Sequence, residues 1–245
     1  MTTRKLAALP ALAAVALALG GCATPGPRHV YSLASGTAAE IRDDGPAPAP
    51  AVPGFLAPGE TITGFAYDPF TDHFFLRLAP GNRLRVVDRP ARAVKREFTV
   101  AQLPATGGGD LAVCPRDGHL FFTLPHAAAL IETTRFGEFV RTIGLASPAA
   151  GVAFDSAHDR ILVLFAPAAI VASLDRAGVP VATVSLAPAV QRGSVGYDAD
   201  RHEFYVPLAD RTSIGVFDEN GRLTRTPPVA AELLDVGPRS FLRMF

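Results

Sequence analysis

The chain has 245 residues, 49% of them hydrophobic and 19% charged, which is ample apolar material for a folded core and too much for a disordered polypeptide. Its 23 Lys and Arg balance its 23 Asp and Glu, so no basic surplus exists to neutralise phosphates, and nucleic acid is excluded as a partner. With 22 Gly, 22 Pro and no Trp, the composition is that of a turn-punctuated, mostly β chain. At the N-terminus, Arg4 and Lys5 precede an apolar stretch, Leu6 to Leu19, interrupted only by Pro10. The stretch is too short to span a bilayer well as a helix and has the layout of a secretion signal.

That stretch ends in Leu19-Gly20-Gly21-Cys22. The tetrad resembles the lipobox of bacterial lipoproteins, where an aliphatic and two small residues precede a cysteine that is acylated and becomes the first residue of the mature protein. The resemblance implies a signal peptide over residues 1–21, a lipidated tether over 22–28 and acylation of Cys22. It also implies the outer membrane, facing the periplasm, because Ala23 rather than Asp follows the cysteine. Several acyl chains, each buried methylene contributing about 0.8 kcal/mol, would hold the protein to the membrane without spanning it. Cleavage would remove Arg4 and Lys5 and no acid, taking the formal charge from 0 to −2 and leaving no polybasic grip on the membrane. Only Cys114 would remain beside Cys22, so no intramolecular disulfide is expected and stability must come from packing.

Beyond the tether, residues 29–245 carry a repeat. Phe65-Ala66-Tyr67-Asp68, Leu111-Ala112-Val113-Cys114, Val152-Ala153-Phe154-Asp155 and Val195-Gly196-Tyr197-Asp198 share one pattern, their third residues at 67, 113, 154 and 197. A polar turn and a β-rich run follow each: His73 to Leu78, His119 to Leu124, Arg160 to Phe165 and Glu203 to Leu208. A third strand leads to a tight turn, Thr134-Arg135-Phe136-Gly137, Asp175-Arg176-Ala177-Gly178 or Asp218-Glu219-Asn220-Gly221, where glycine supplies a positive φ. A fourth strand completes the unit. Four strands in about 43 residues is the layout of a β-propeller blade. A β-sandwich would not require the recurring tetrapeptide. The units are similar to NHL-type repeats, most clearly in Phe136-Gly137-Glu138-Phe139-Val140-Arg141-Thr142, over residues 60 to 229.

One further period from Tyr197 lands near the C-terminus, so a fifth blade can be begun there and finished by the N-terminus. Asp235 to Phe245 aligns with Asp68 to Leu78 and would supply two inner strands; Val30-Tyr31-Ser32-Leu33 and Thr37 to Arg42 would supply the outer hairpin. The expected fold is therefore an all-β propeller of five four-stranded blades, the last closed by both termini. A four-blade ring is the alternative, because Asp198 and Asp235 are only 37 residues apart. Asp44 to Pro58, rich in Ala and Pro, reads as an extended solvated connection.

For function, the loops expected to gather at the upper mouth of the channel contain Arg83, His126, Asp210 and Arg211, and the entries to inner strands contain Asp110, Arg192 and Ser194. These seven residues are the candidate binding surface, with Arg83 and Arg211 as anchors oriented by Asp110 and Asp210. His73, His119, His158 and His202 recur near one turn position and so belong to different blades at one rim, while His29 follows the tether. No metal or cofactor is expected: a channel ion needs several oxygen ligands, and the inner strands begin with one carboxylate, Asp110. The chain contains no Gly-x-Ser-x-Gly elbow or phosphate-binding loop. Cys114 reads as a small buried thiol between blades. The expected function is a non-catalytic, membrane-anchored propeller that binds an envelope protein or polymer, with a channel hydrolase or lactonase as the alternative. Oligomeric state is not indicated.

Overall fold

The computed structural model describes residues 28–33, 39–46, 48–165, 168–187, 190 and 193–238. The first blade contains β4 (Thr61–Asp68), β5 (His73–Ala79), β6 (Arg83–Asp88) and β7 (Ala93–Thr99). The second contains β8 (Leu111–Val113), β9 (Leu120–Thr123), β10 (Ala129–Thr133) and β11 (Phe139–Gly144). In the third are β12 (Gly151–Asp155), β13 (Arg160–Phe165), β14 (Ile170–Leu174) and β15 (Pro180–Ser185), and in the fourth β16 (Gly196–Asp198), β17 (Glu203–Pro207), β18 (Ile214–Phe217) and β19 (Leu223–Arg225). The innermost strands of five four-stranded sheets touch in a closed cycle, β4 to β8 to β12 to β16 to β20 (Leu233–Pro238) and back to β4, which makes the molecule a five-bladed propeller. Among the described residues no helix is long and apolar enough to cross a membrane.

The recurring Asp has a local cause. At the end of each inner strand its carboxylate accepts a backbone N–H two residues on: Phe70 N to Asp68 at 3.0 Å, Ala157 N to Asp155 at 3.0 Å and Asp200 N to Asp198 at 3.1 Å. This Asx turn reverses the chain. A left-handed residue follows in each of the four copies, just before the second strand at Asp72, Asp159 and His202 (φ 59°, 57° and 56°) and two residues before it at Gly118 (φ 76°). Cys114 lacks the acceptor, and there Asp117 takes the N–H of His119 instead, at 2.9 Å. The thiol is fully buried in the packing between the second and third blades.

Five apolar clusters fill the five seams between blades. Ion pairs tie the outer parts of two seams. Arg135, on the turn between the third and fourth strands of the second blade, reaches back to Asp68 of the first at 3.5 Å. Arg176, one blade on, reaches Asp117 at 2.9 Å and Glu132 at 3.1 Å, and lies over Phe121 and Phe154. The turn glycines Gly137, Gly178 and Gly221 sit against the outer strand of the preceding blade, where a side chain would strike Phe98, Ile143 or the carbonyl of Ser185.

Both ends of the chain close the ring, in a different division from the one expected. Among the described residues the C-terminal run supplies the innermost strand, β20. Its neighbour is β1 (Arg28–Leu33), paired from Arg28 with Pro238 to Leu33 with Leu233, followed by β2 (Glu40–Asp43) and β3 (Val52–Pro53). Val30 to Leu33 is thus a second strand, not a third. The proposed second strand at 239–245 lies outside the described residues. The Ala/Pro-rich stretch contributes the fourth strand, with Val52 buried against the first blade, so this part of it is core rather than a solvated connection. His29 is buried in the same blade and its Nδ1 is hydrogen-bonded to Asp43.

Candidate functional site

The connections between second and third strands, and those crossing from one blade to the next, share one face, here the upper one. At its centre is a pocket of about 670 Å³ lined by Thr63, Gly109, Pro125, His126, Ser147, Pro148, Ala149, Ala150, Phe165, Ala168 and Gly193. That size suits a small organic ligand or the tip of a partner's loop. The first three blades and the crossover into the fourth contribute to it, so the propeller itself fixes its shape. The walls are apolar, Thr63, His126 and Ser147 add the polar side chains, and His126 is the one titratable group among the lining residues. At the other end of the channel a smaller cavity, about 90 Å³, is lined by Tyr67, Phe154, Tyr197, Asp198 and Asp235 among others.

Beneath the upper pocket, the entries to the inner strands hold one another through side chains. Asp110 Oδ2 accepts the N–H of Val152 at 3.1 Å, and its own N–H goes to Thr123 Oγ1 at 2.7 Å. Ser194 Oγ donates to the carbonyl of Leu234 at 2.9 Å, and Asp235 Oδ2 accepts the N–H of Tyr67 at 2.7 Å. Asp110 and Ser194 are therefore interior residues that couple blades, which corrects their assignment to a binding surface. Burial pushes the Asp110 carboxyl well above the usual range, and lifts Asp235 to about 7 against the pull of two backbone N–H groups. Asp235 is the second channel carboxylate that a count over repeat positions missed.

Arg83 does not turn to Asp110 either. Its guanidinium pairs with Glu60 at 2.5 Å and Glu97 at 2.9 Å, and Arg85 joins the same two carboxylates. The hydrogen bond from Arg85 is the main reason Glu60 is held down at about 2. A residue so engaged is a poor anchor for a partner. Asp210 folds back on its own exposed loop, accepting N–H groups of Thr212 and Ser213 at 2.9 and 3.1 Å, and Arg211 is exposed beside it. Of the seven expected residues only His126 lines the pocket, while Arg192, like Cys22, lies outside the described residues.

Arg77 was not among them. It sits where the other blades carry Thr123, Leu164 and Pro207, and its side chain is 1% exposed. Nη1 donates to the carbonyl of Thr123 at 2.8 Å and the guanidinium lies 5.8 Å from the Phe122 ring, while Nε and Nη2 have no hydrogen-bond partner among the described residues. Burial depresses its pKa to about 10 despite the field of Asp110. A charged group amid hydrophobic positions of a repeat is the signal that could have found it.

No family model matches the chain, and no curated protein matches it. Solved structures do. A chain of the nidogen/laminin complex superposes with a TM-score of 0.62 at 10% identity, covering 85% of this chain and 98% of that one. A Bacteroides caccae protein of unknown function gives 0.56 at 11% identity, with 86% and 99% covered. Myxococcus xanthus glutaminyl cyclase gives 0.52 at 13% identity, with 71% and 69% covered. At such identities the likeness is one of fold alone.

Proposed function

We propose that this chain is a lipid-anchored, non-catalytic propeller of the bacterial cell envelope, held to the outer membrane through Cys22 and presenting its upper face to an envelope protein or polymer. The observation that carries the reading is the opposition of two features. Arg28 enters the ring at the lower end of the closing blade, paired with Pro238, whereas the pocket opens on the upper face. The six residue steps from Cys22 to Arg28 reach at most about 20 Å, so an anchor at Cys22 keeps the lower face close to the bilayer and leaves the upper face turned away from it. A surface fixed by rigid blades loses little entropy on binding.

Two measurements test this. Wild type should fractionate with membranes and carry acyl mass on Cys22, and Cys22→Ser should lose both; a Cys22→Ser protein that still sediments with membranes, beside a wild type without acyl mass, refutes the anchor. A photocrosslinking residue at exposed Ser147, on the upper face, should capture an envelope component that the same residue at exposed Ser156, on the lower face, does not. Equal capture from both positions removes the orientation.

A further inference from the structure

A buried guanidinium without a carboxylate partner is costly unless something compensates it. Arg77 has one hydrogen bond, to a neutral carbonyl, and two unpartnered nitrogens. The acid whose field it feels, Asp110, is itself fully buried, keeps Oδ1 without a partner, and is favoured in its neutral form by burial, so it offsets little of the charge. Gly109 touches both this cation and the upper pocket. One side of that residue lines the pocket. On the other, an added Cβ would fall 2.7 Å from Arg77 Nη1 and 2.4 Å from the Thr123 carbonyl. Gly109 ends a run, Gly107-Gly108-Gly109, in which every residue has a positive φ (77°, 96° and 90°), and glycine can leave such a conformation at little steric cost.

We propose that the upper pocket binds an organic carboxylate with an apolar body. The body lies against Pro125, Pro148, Ala149 and Phe165, and the carboxylate meets Nε and Nη2 of Arg77 once the Gly109 backbone moves aside. Guanidinium and carboxylate match as a planar two-point pair, which is the geometry these two idle donors offer. The proposal rests on the reading of the upper face as a binding face and adds the charge and size of what enters it.

Titration calorimetry on the intact soluble domain at pH 7, with phenylacetate and hexanoate each compared with its amide, tests it. The acids should bind about 10- to 100-fold more tightly than the amides, the range expected for a charge-assisted pair in a dry site. Arg77→Met should remove that preference while melting no lower than wild type, since other blades hold uncharged residues at this repeat position. Arg83→Met, a change on a surface already paired, should retain it. Acids and amides that bind equally refute the carboxylate assignment and leave the pocket standing. Absence of binding by both acids at millimolar concentration refutes the assignment too, whatever the photocrosslinking shows. An Arg77→Met protein that keeps the acid preference transfers it to another group and overturns the role of Arg77; if that variant fails to fold, the acid-to-amide ratio of the wild type still decides.

Discussion

Gly109→Ala and Gly59→Ala form a matched pair that separates backbone strain from crowding. Both glycines have a positive φ, 90° and 81°, in the region an L residue occupies at a cost of about 1–2 kcal/mol. Nothing lies within 4 Å of an added Cβ at Gly59, whereas at Gly109 it would meet Thr123 O at 2.4 Å, Arg77 Nη1 at 2.7 Å and Thr123 Oγ1 at 2.8 Å. Thr123 O belongs to the ladder of the second blade and cannot retreat alone, so Gly109→Ala also incurs the overpacking penalty, about 1–3 kcal/mol. At roughly 3 °C per kcal/mol for a domain of this size, a loss of roughly 2–5 kcal/mol lowers the melting temperature by roughly 6–15 °C, against roughly 3–6 °C at Gly59. Differential scanning calorimetry of the three proteins gives the comparison, and equal shifts for the two variants would show that the floor of the pocket is not packed as described.

Truncation after Glu232 removes β20, and with it buried Leu233 and Leu234, each contributing about 1.5–3 kcal/mol; the expected result is loss of cooperative melting, followed by circular dichroism, and an unchanged transition would refute closure by both ends. Asp235 binds its proton more tightly folded than unfolded, so the stability it contributes is complete below the ordinary carboxylate range and is lost as pH rises through about 7. Urea midpoints should therefore fall between pH 5 and pH 8.5 in wild type and fall less in Asp235→Asn; identical slopes would exclude the group. Glu132 is 1% exposed and bound by His119 at 2.7 Å, Arg141 at 2.6 Å and Arg176 at 3.1 Å. Because the two arginines are partly hydrated, Glu132→Ala should cost about 1–3 kcal/mol rather than the full penalty of a broken buried pair, and Lys95→Ala, at an exposed pair with Asp88, under about 0.5 kcal/mol by the same denaturation assay.

Blade count and the four-strand unit could be read from sequence because each repeat must reverse its chain after the inner strand, and an Asp followed by a left-handed residue does so locally. Nothing local decides the closing blade. Asp235 to Phe245 has the apolar content of Asp68 to Leu78, yet the place beside β20 goes to β1, a choice made by pairing across the whole chain. The same limit applies to the site. Loop position is enough to set His126 on the upper face, but the engagement of Arg83 was hidden because its partners Glu60 and Glu97 come from 23 and 14 residues away, and that of Asp110 because an inner-strand entry turns its side chain toward the next blade. Arg77 needed the register of the second strands, in which a charge replaces Thr, Leu and Pro.

The closing blade also orders events in time. Arg28 pairs with Pro238, so the first described strand of the chain has no inner neighbour until nearly all the rest has been made. Such distant contacts are entropically late and slow folding. Until β20 arrives, β1 presents an open edge to any strand that can pair with it. The half-closed ring is therefore the aggregation-prone species of its folding, and the arrival of a single six-residue strand ends that exposure.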